Sequence, residues 1–228
     1  MIIQKTDYSV FLYKKTNIKY NLIGDHMKIK PIIGVITRSS KSNEGHNINI
    51  VYDDISKCIV NNGAIPIGII LTQNYKELIN LCDGIIFQGG DDFESYDLET
   101  LKYIYDINKP VLGICLGMQL MGVLFDGELI DINNHKKTLS YVHSVKINRN
   151  SKAYNIFKKD IIKVNSRHKS VVKNTKLKVS GISNDGYIEI VEDSNKKFFI
   201  GVQWHPENMI EYDDIQKNIY KYFIKNCK

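Results

Sequence analysis

A cysteine between glycines is the first candidate for chemistry in this sequence. Gly113–Gly117 reads GICLG, and it joins an apolar strand pattern to a helical pattern. A nucleophile at such a turn occupies a strained backbone, and its neighbours must be small because a Cβ would collide with the chain. The helix N-terminus favours a Cys115 thiolate, and the Leu116 N–H can face an oxyanion on the substrate. A buried cysteine beside packing glycines is the alternative, but the position directly after a strand favours a nucleophile.

A base and a group that orients it occur late in the chain. Gly201–Glu207 reads GVQWHPE and begins within the apolar run Phe198–Val202. His205 and Glu207 are two residues apart with a rigid proline between them, so the carboxylate can fold back to the imidazole. Glu207 then holds the tautomer of His205, which exchanges protons with Cys115 and the leaving amine. A capped core histidine is the alternative for His205 alone.

Alternating strand and helix patterns must position these residues. The predicted strands are Pro31–Thr37, Ala64–Ile70, Asp83–Gln88 and Pro110–Ile114. The predicted helices are Val51–Asn62, Asn74–Leu81, Leu98–Ile107 and Gly117–Phe125. This order predicts an α/β fold with a mostly parallel central sheet flanked by helices on both faces.

The C-terminal half is rich in strands. The predicted strands are Glu128–Asp131, Val142–Ile147, Ile161–Val164, Leu177–Ile182, Tyr187–Glu192 and Phe198–Val202. Gly181 and the turn Asn184–Gly186 interrupt them, and a helix from Asp213 to about residue 224 closes the chain. The absence of a linker or repeat from residue 28 to 228 predicts one catalytic domain.

Residues 1–27 precede the predicted alternation of strands and helices. Tyr8–Tyr13 and Ile18–Ile23 fit a hairpin, and Met27 is an alternative start of the chain. We expect residues 1–27 to be an accessory N-terminal extension without a catalytic role.

Composition limits the class of protein. The 228 residues carry 31 Lys and Arg against 25 Asp and Glu, and 43% are hydrophobic. No apolar run approaches the roughly 20 residues of a membrane span, and no signal peptide is evident. The four cysteines lack metal-ligand spacing, and no basic cluster with interleaved aromatic residues suggests nucleic acid. A soluble, cytoplasmic protein with a small-molecule substrate is expected. No metal, organic cofactor, nucleic acid or membrane partner is implied, and a homodimer stays open.

The two motifs together resemble the class I glutamine amidotransferase superfamily, which has a flavodoxin-like fold and a Cys-His-Glu triad. The resemblance covers nearly the whole chain from Lys28. It extends to Gly89-Gly90-Asp91, which matches the loop that supplies the second oxyanion N–H in this superfamily. By that match Gly90 is the donor and Gly89 the neighbouring candidate. A simple turn after a strand is the alternative.

Two further segments resemble the peptidase C26 group, which includes γ-glutamyl-γ-aminobutyrate hydrolase. They are Tyr141–Val145 and Val164–His168. By the match, Asn165, Ser166 and His168 line the substrate pocket, although a polar loop between strands is an equal alternative. The sequence departs from the group in three places. The connection from Gly90 to Cys115 spans 25 positions and lacks the longer insert, containing Pro and Tyr, that is common in the group. Leu116 stands where many members have Arg, and Lys169 stands where a second His is usual.

The resemblance implies a hydrolase that cleaves γ-glutamyl amides through a thioester, with Gln119 contacting the amino-acid head of the substrate. Two alternatives remain open. One is a glutaminase component that delivers ammonia to a partner synthetase, which the Leu116 motif favours. The other is an inactive scaffold, against which the intact triad argues.

Two cations flank His168. In an extended segment Arg167 and Lys169 point to the same side, opposite His168. They are either solvated surface charges or the binding site for an anionic, for example nucleotide-linked, leaving group, which Arg recognises by bidentate hydrogen bonds.

Overall fold

The computed structural model describes residues 30–133 and 135–227. The expected accessory segment, residues 1–27, and its hairpin lie outside these described residues and stay predictions. Within the described ranges, no helix combines the length and the apolar character needed to cross a membrane.

Thirteen strands occur in the described residues. In chain order they are β1 (Ile32–Ile36), β2 (Arg38–Lys41), β3 (Asn47–Ile50), β4 (Ile65–Ile69), β5 (Gly84–Phe87), β6 (Val111–Ile114), β7 (Glu128–Asp131), β8 (His143–Ile147), β9 (Ile161–Val164), β10 (Ser170–Lys173), β11 (Lys178–Ser183), β12 (Ile188–Glu192) and β13 (Phe199–Val202). Nine of them form one sheet in the order β4-β1-β5-β6-β13-β12-β11-β8-β9.

The central sheet is parallel at one side and antiparallel at the other. Strands β4, β1, β5, β6 and β13 are parallel, whereas β12, β11, β8 and β9 continue the sheet with antiparallel pairing. The expectation of an α/β fold with a strand-rich C-terminal half is therefore confirmed.

Helices cover both faces of this sheet. They are α1 (Asp53–Asn61), α2 (Tyr75–Leu81), α3 (Asp97–Asp106), α4 (Leu116–Leu124), α5 (Lys152–Phe157) and α6 (Asp214–Asn226). On β5, Ile86 packs into the core under α1, α5 and α6, whereas Ile85 and Phe87 pack into the core under α2, α3 and α4. Both faces are buried, which explains why the parallel strands read as continuous apolar runs.

Glycines end two elements as the sequence predicts. Gly63 follows α1 with φ 78° and donates its N–H to Val60, which closes the helix. Gly186 has φ 94° in the turn between β11 and β12. The expected cap of α2 differs, because the Asn74 side chain makes no capping hydrogen bond.

Several short elements carry no clear sequence signal. The hairpin β2–β3 is largely polar and exposed, and β10 pairs with β7 outside the main sheet. Helix α5 has only six residues, too few for a periodic pattern. The strand predicted at Leu177–Ile182 lies one residue later, with register shifts around Gly181.

Candidate active site

Cys115 lies at the turn between β6 and α4, where it is the residue that precedes the helix. Its backbone has φ 52° and ψ −103°, a conformation that residues with a side chain rarely adopt. Its N–H donates to the Val202 carbonyl at 2.9 Å, and its own carbonyl accepts from Gln119 N at 3.0 Å. Neighbouring strand and helix thus hold the strained turn from both sides.

The flanking glycines are needed for this turn. A Cβ on Gly113 would lie 2.7 Å from the Gly117 carbonyl carbon. A Cβ on Gly117 would lie 2.2 Å from the Phe87 carbonyl oxygen. Both contacts are with backbone, which cannot move aside as a flexible side chain can.

His205 leaves the sheet beside Cys115, because β13 is parallel to β6 with Val202 paired to Ile114. A short 3₁₀ turn, Pro206–Asn208, folds the chain back. Glu207 Oε1 is then 2.7 Å from His205 Nδ1. The Trp204 indole donates to Gln216 on α6 at 2.9 Å and anchors the segment.

The charge environment keeps the His205 imidazole protonated. Burial alone lowers the pKa, but the Glu207 carboxylate and Cys115 outweigh it and raise the pKa to about 10. The Tyr220 hydroxyl lies 3.5 Å from the other Glu207 oxygen. An imidazolium beside a cysteine can donate a proton to a departing amine.

Gly89 and Gly90 follow β5 and reach the same edge of the sheet. A Cβ on Gly89 would lie 2.7 Å from His205 Cε1 and 3.6 Å from Cys115 Cβ. A Cβ on Gly90 would lie 2.9 Å from Leu116 Cδ2. The carboxyl ends of β5, β6 and β13 therefore converge, as expected for a site in an open parallel sheet.

Two glutamines lie behind the thiol. Gln203 Nε2 is 3.7 Å from Cys115 Sγ, a contact that sequence reasoning missed although Gln203 belongs to the GVQWHPE motif. Gln119 Nε2 donates to the Ser170 carbonyl at 2.8 Å and lies 3.4 Å from Gln203 Oε1. Gln119 is thus connected to the thiol through Gln203.

Asn165 has a different position from the one expected for a pocket residue. Its Oδ1 accepts from the His205 N–H at 2.9 Å, and its Nδ2 donates to the His205 carbonyl at 2.8 Å. Both ends of the amide are used, so Asn165 holds the backbone of the candidate base instead of facing an open pocket.

The other residues of this loop divide between the protein interior and the surface. Ser166 and His168 are buried, with 0% and 3% exposure, whereas Arg167 and Lys169 are exposed. The alternation expected from an extended segment is present. Its inward side, however, is protein interior, where His168 Nε2 lies 3.2 Å from His135 Nδ1 and 3.7 Å from Glu189 Oε1.

Arg38 is a candidate binding residue that the sequence analysis missed. It follows β1 at the same sheet edge, and its Nη1 is 2.6 Å from Asp97 Oδ2. Its Nε and Nη2 are buried without a partner among the described residues. The side chain lines a cavity of about 370 Å³ together with Tyr52 and Gly90. A larger cavity of about 590 Å³ borders β8 and β11 and includes none of these site residues.

A buried histidine cluster lies next to the site. His135, His143, His168 and Glu189 each offer an atom within 4.8 Å of the others. Burial and the neighbouring His135 lower the pKa of His143 to about 4 and of His168 to about 3. Burial also raises the pKa of Glu189, and Asp185 and Cys115 add to this effect. His143 and His168 lie in the two segments that resemble the peptidase C26 group, but no spacing along the chain shows that they meet His135 and Glu189.

Solved structures share the fold. A putative GMP synthase component from Thermoplasma acidophilum matches 86% of this chain and 94% of its own, with a TM-score of 0.67 and 19% identity. A glutamine amido transferase from Methylobacillus flagellatus matches 87% and 96%, with a TM-score of 0.65 and 12% identity. The architecture is that of the class I glutamine amidotransferases.

The family follows from the sequence comparison. The peptidase C26 family model matches residues 94–207, which is half of the chain. The chain belongs to the peptidase C26 family. The matched range contains Cys115, His205 and Glu207.

Relatives of similar length are described as amidotransferase-like. A putative glutamine amidotransferase-like protein of Lactococcus lactis is 29% identical over 76% of this chain and 84% of its own length. Another from Rickettsia prowazekii is 25% identical over 89% and 99%. The CTP synthase of Saccharolobus solfataricus is 27% identical over 60% of this chain, which corresponds to 32% of that protein.

Proposed function

We propose that this protein is a cysteine-dependent hydrolase that releases glutamate from a small γ-glutamyl amide. The observation that carries the proposal is the juxtaposition of His205, bonded to Glu207 at 2.7 Å, with Cys115 against the backbone of Gly89. Membership of the peptidase C26 family supports an amide-cleaving reaction.

The reaction proceeds in two stages under this proposal. The Cys115 thiolate attacks the amide carbon, and the N–H groups of Leu116 and Gly90 stabilise the oxyanion, a contribution of about 3 kcal/mol per donor. The C–N bond breaks as His205 donates its proton to the leaving nitrogen. His205 then takes a proton from water, and the hydroxide attacks the thioester carbon. Breakage of the C–S bond releases glutamate and restores the thiolate.

Arg38 extends the proposal to the substrate. Its side chain borders a cavity beside Gly90, so under this proposal its guanidinium attracts an anionic part of the substrate. Arg167 and Lys169 add exposed positive charge on the loop between β9 and β10. An anionic or nucleotide-linked leaving group is consistent with both.

The test is glutamate release by the full-length chain from a panel of γ-glutamyl amides with anionic and neutral leaving groups. We expect turnover without any added protein, and none by Cys115→Ala. Undiminished turnover by a well-folded Cys115→Ala variant would contradict the proposed nucleophile.

A second candidate is a glutaminase component that passes ammonia to a synthetase. The matches to a CTP synthase and to a putative GMP synthase component favour it. A glutaminase that depends on a partner synthetase hydrolyses glutamine very slowly until the partner is present. Rapid turnover of γ-glutamyl amides by the isolated chain supports the hydrolase proposal. No detectable turnover of any amide in the panel supports the glutaminase proposal.

A further inference from the structure

Four buried side chains from separate segments meet beside the candidate active site. His135 Nδ1 is 3.2 Å from His168 Nε2, His143 Nε2 is 3.4 Å from Glu189 Oε1, and His168 Nε2 is 3.7 Å from the same oxygen. A tetrahedral zinc with bonds of about 2.1 Å separates its ligand atoms by roughly 3.4 Å. The spacing of the cluster is therefore close to that of a metal site.

The cluster contains polar atoms without partners. Glu189 is fully buried, and neither of its carboxylate oxygens has a hydrogen-bond partner in the described part of the chain. The ring nitrogens of His143 likewise have no hydrogen bond of acceptable geometry among the described residues, although Nε2 lies 3.4 Å from Glu189 Oε1. A native fold rarely leaves so many buried groups unsatisfied, because each is costly to remove from water.

Two histidines of the cluster, His168 and His135, each use one ring nitrogen for a hydrogen bond to a group outside the cluster. The other ring nitrogen of each faces the centre of the cluster. His168 Nδ1 lies 3.1 Å from the Ser170 carbonyl, and His135 Nε2 lies 2.7 Å from Asp185 Oδ2. Both partners accept hydrogen bonds, so each imidazole carries its proton on the outer nitrogen. In neutral rings the inner nitrogens then face each other as two acceptors, an arrangement that a shared cation stabilises. Metal-bound histidines characteristically have such outer partners.

We propose that His135, His143, His168 and Glu189 bind one zinc ion. Three imidazole nitrogens and one carboxylate suit Zn²⁺, and four protein ligands make a closed site of the structural type. The sequence motifs and cysteine spacing implied no metal, and the proposed zinc site revises that expectation. It does not depend on the proposed hydrolase activity.

The zinc ties together the segments that frame the active site. His168 lies three residues after Asn165, whose amide holds the His205 backbone. Glu189 lies on β12, and its carbonyl accepts from Gln203 N at 2.9 Å. The metal thereby keeps both supports of the candidate triad in place without touching the substrate.

The first test measures zinc in the full-length chain by mass spectrometry of the metal. A Cys115→Ser background removes the competing thiol ligand. We expect one zinc per chain in this background and in the exposed control His46→Ala, and loss of zinc in Glu189→Gln and His135→Ala. Circular dichroism identifies variants that fold, and Glu189→Gln preserves the shape of the side chain.

A second test substitutes cobalt for zinc and weakens the hydrogen bond that orients one of the ligands. Co²⁺ added to chelator-treated protein is expected to give the visible absorption of a tetrahedral site. Asp185→Asn is expected to lower zinc affinity about 10- to 100-fold, because it weakens the hydrogen bond that orients His135. No zinc and no cobalt spectrum in the folded parent chain would overturn the proposal in favour of a protonated His135 that donates to His168. Equal zinc uptake by Glu189→Gln would overturn it as well.

Discussion

Cys115 differs from the other three cysteines in its surroundings more than in its burial. Burial raises the pKa of Cys58 to about 12, of Cys82 to about 11 and of Cys227 to about 12. Cys115 instead precedes α4 and lies beside His205, whose pKa is raised to about 10. A helix N-terminus and a neighbouring cation are the surroundings typical of a reactive cysteine.

Alkylation should therefore select Cys115. We expect iodoacetamide to modify Cys115 before the other three cysteines, and peptide mass spectrometry of a time course checks this. Cys82→Ser is the control and should leave the rate at Cys115 unchanged. Labelling that is spread evenly over the four thiols would count against the proposed nucleophile.

Glu207 sets the pH range over which the His205 imidazole is protonated. The carboxylate is the main cause that raises the His205 pKa to about 10 against the effect of burial. Glu207→Gln keeps a hydrogen-bond acceptor at the ring but removes the charge, so the pKa should fall. We expect the alkaline limb of the kcat/KM profile, where the imidazolium is lost, to move from near pH 10 to lower pH. An unchanged limb would show that another group sets it.

At the scale of elements, the segment that enters β10 supports the segment that leaves β13. Asn165 bonds to the N–H and the carbonyl of His205, and it is 2% exposed. This explains why a residue expected to bind substrate acts on the backbone of the base. Its effect on catalysis should therefore appear in kcat more than in KM.

Removal of this support should misplace the base. Asn165→Ala leaves the part-buried His205 N–H without its partner, at a cost of about 1–3 kcal/mol. The His205 carbonyl loses one of its two donors and keeps the Asn208 N–H at 3.2 Å. We expect kcat to fall about 10- to 100-fold while KM changes little, because small displacements of a catalytic group are costly. Steady-state kinetics check this against the exposed control Asn155→Ala. A large rise in KM with unchanged kcat would instead indicate direct substrate contact.

At the scale of the whole molecule, positive charge on one loop can select anionic substrates. Arg167 and Lys169 are exposed on the same side of their segment, and the chain has a net charge of +6. Charge on an exposed loop acts through the solvent and weakens as salt is added.

The double substitution Arg167→Gln with Lys169→Gln should raise KM severalfold for anionic γ-glutamyl amides and leave neutral ones unchanged. Added salt should reduce this selectivity in the parent chain. Lys221→Gln with Lys225→Gln on α6 removes the same charge elsewhere and is the matched control. Arg167 and Lys169 would be ordinary surface charges if both double variants changed KM equally. The same would follow if the Arg167 and Lys169 variant changed KM equally for anionic and neutral substrates.

Much of the fold was predictable because its signals are local. Continuous apolar runs mark the parallel strands, and helical spacing marks the helices between them. The polar hairpin β2–β3 and the short α5 were not predictable, since neither has a periodic apolar pattern. Both elements make contacts with residues distant in the chain: the Ser39 N–H donates to Glu94 Oε1, and the Lys152 N–H donates to Glu192 Oε1.

The sequence alone determined the elbow at Cys115, the glycines beside it and the spacing of His205 from Glu207. These features depend on residues close in the chain, where steric exclusion and a rigid proline leave few conformations. Only the tertiary structure decided that Asn165 holds His205, that Arg38 borders a cavity, and that three histidines converge on Glu189. Strand pairing and the crossing of distant loops bring these side chains together, and no spacing along the chain encodes such distances.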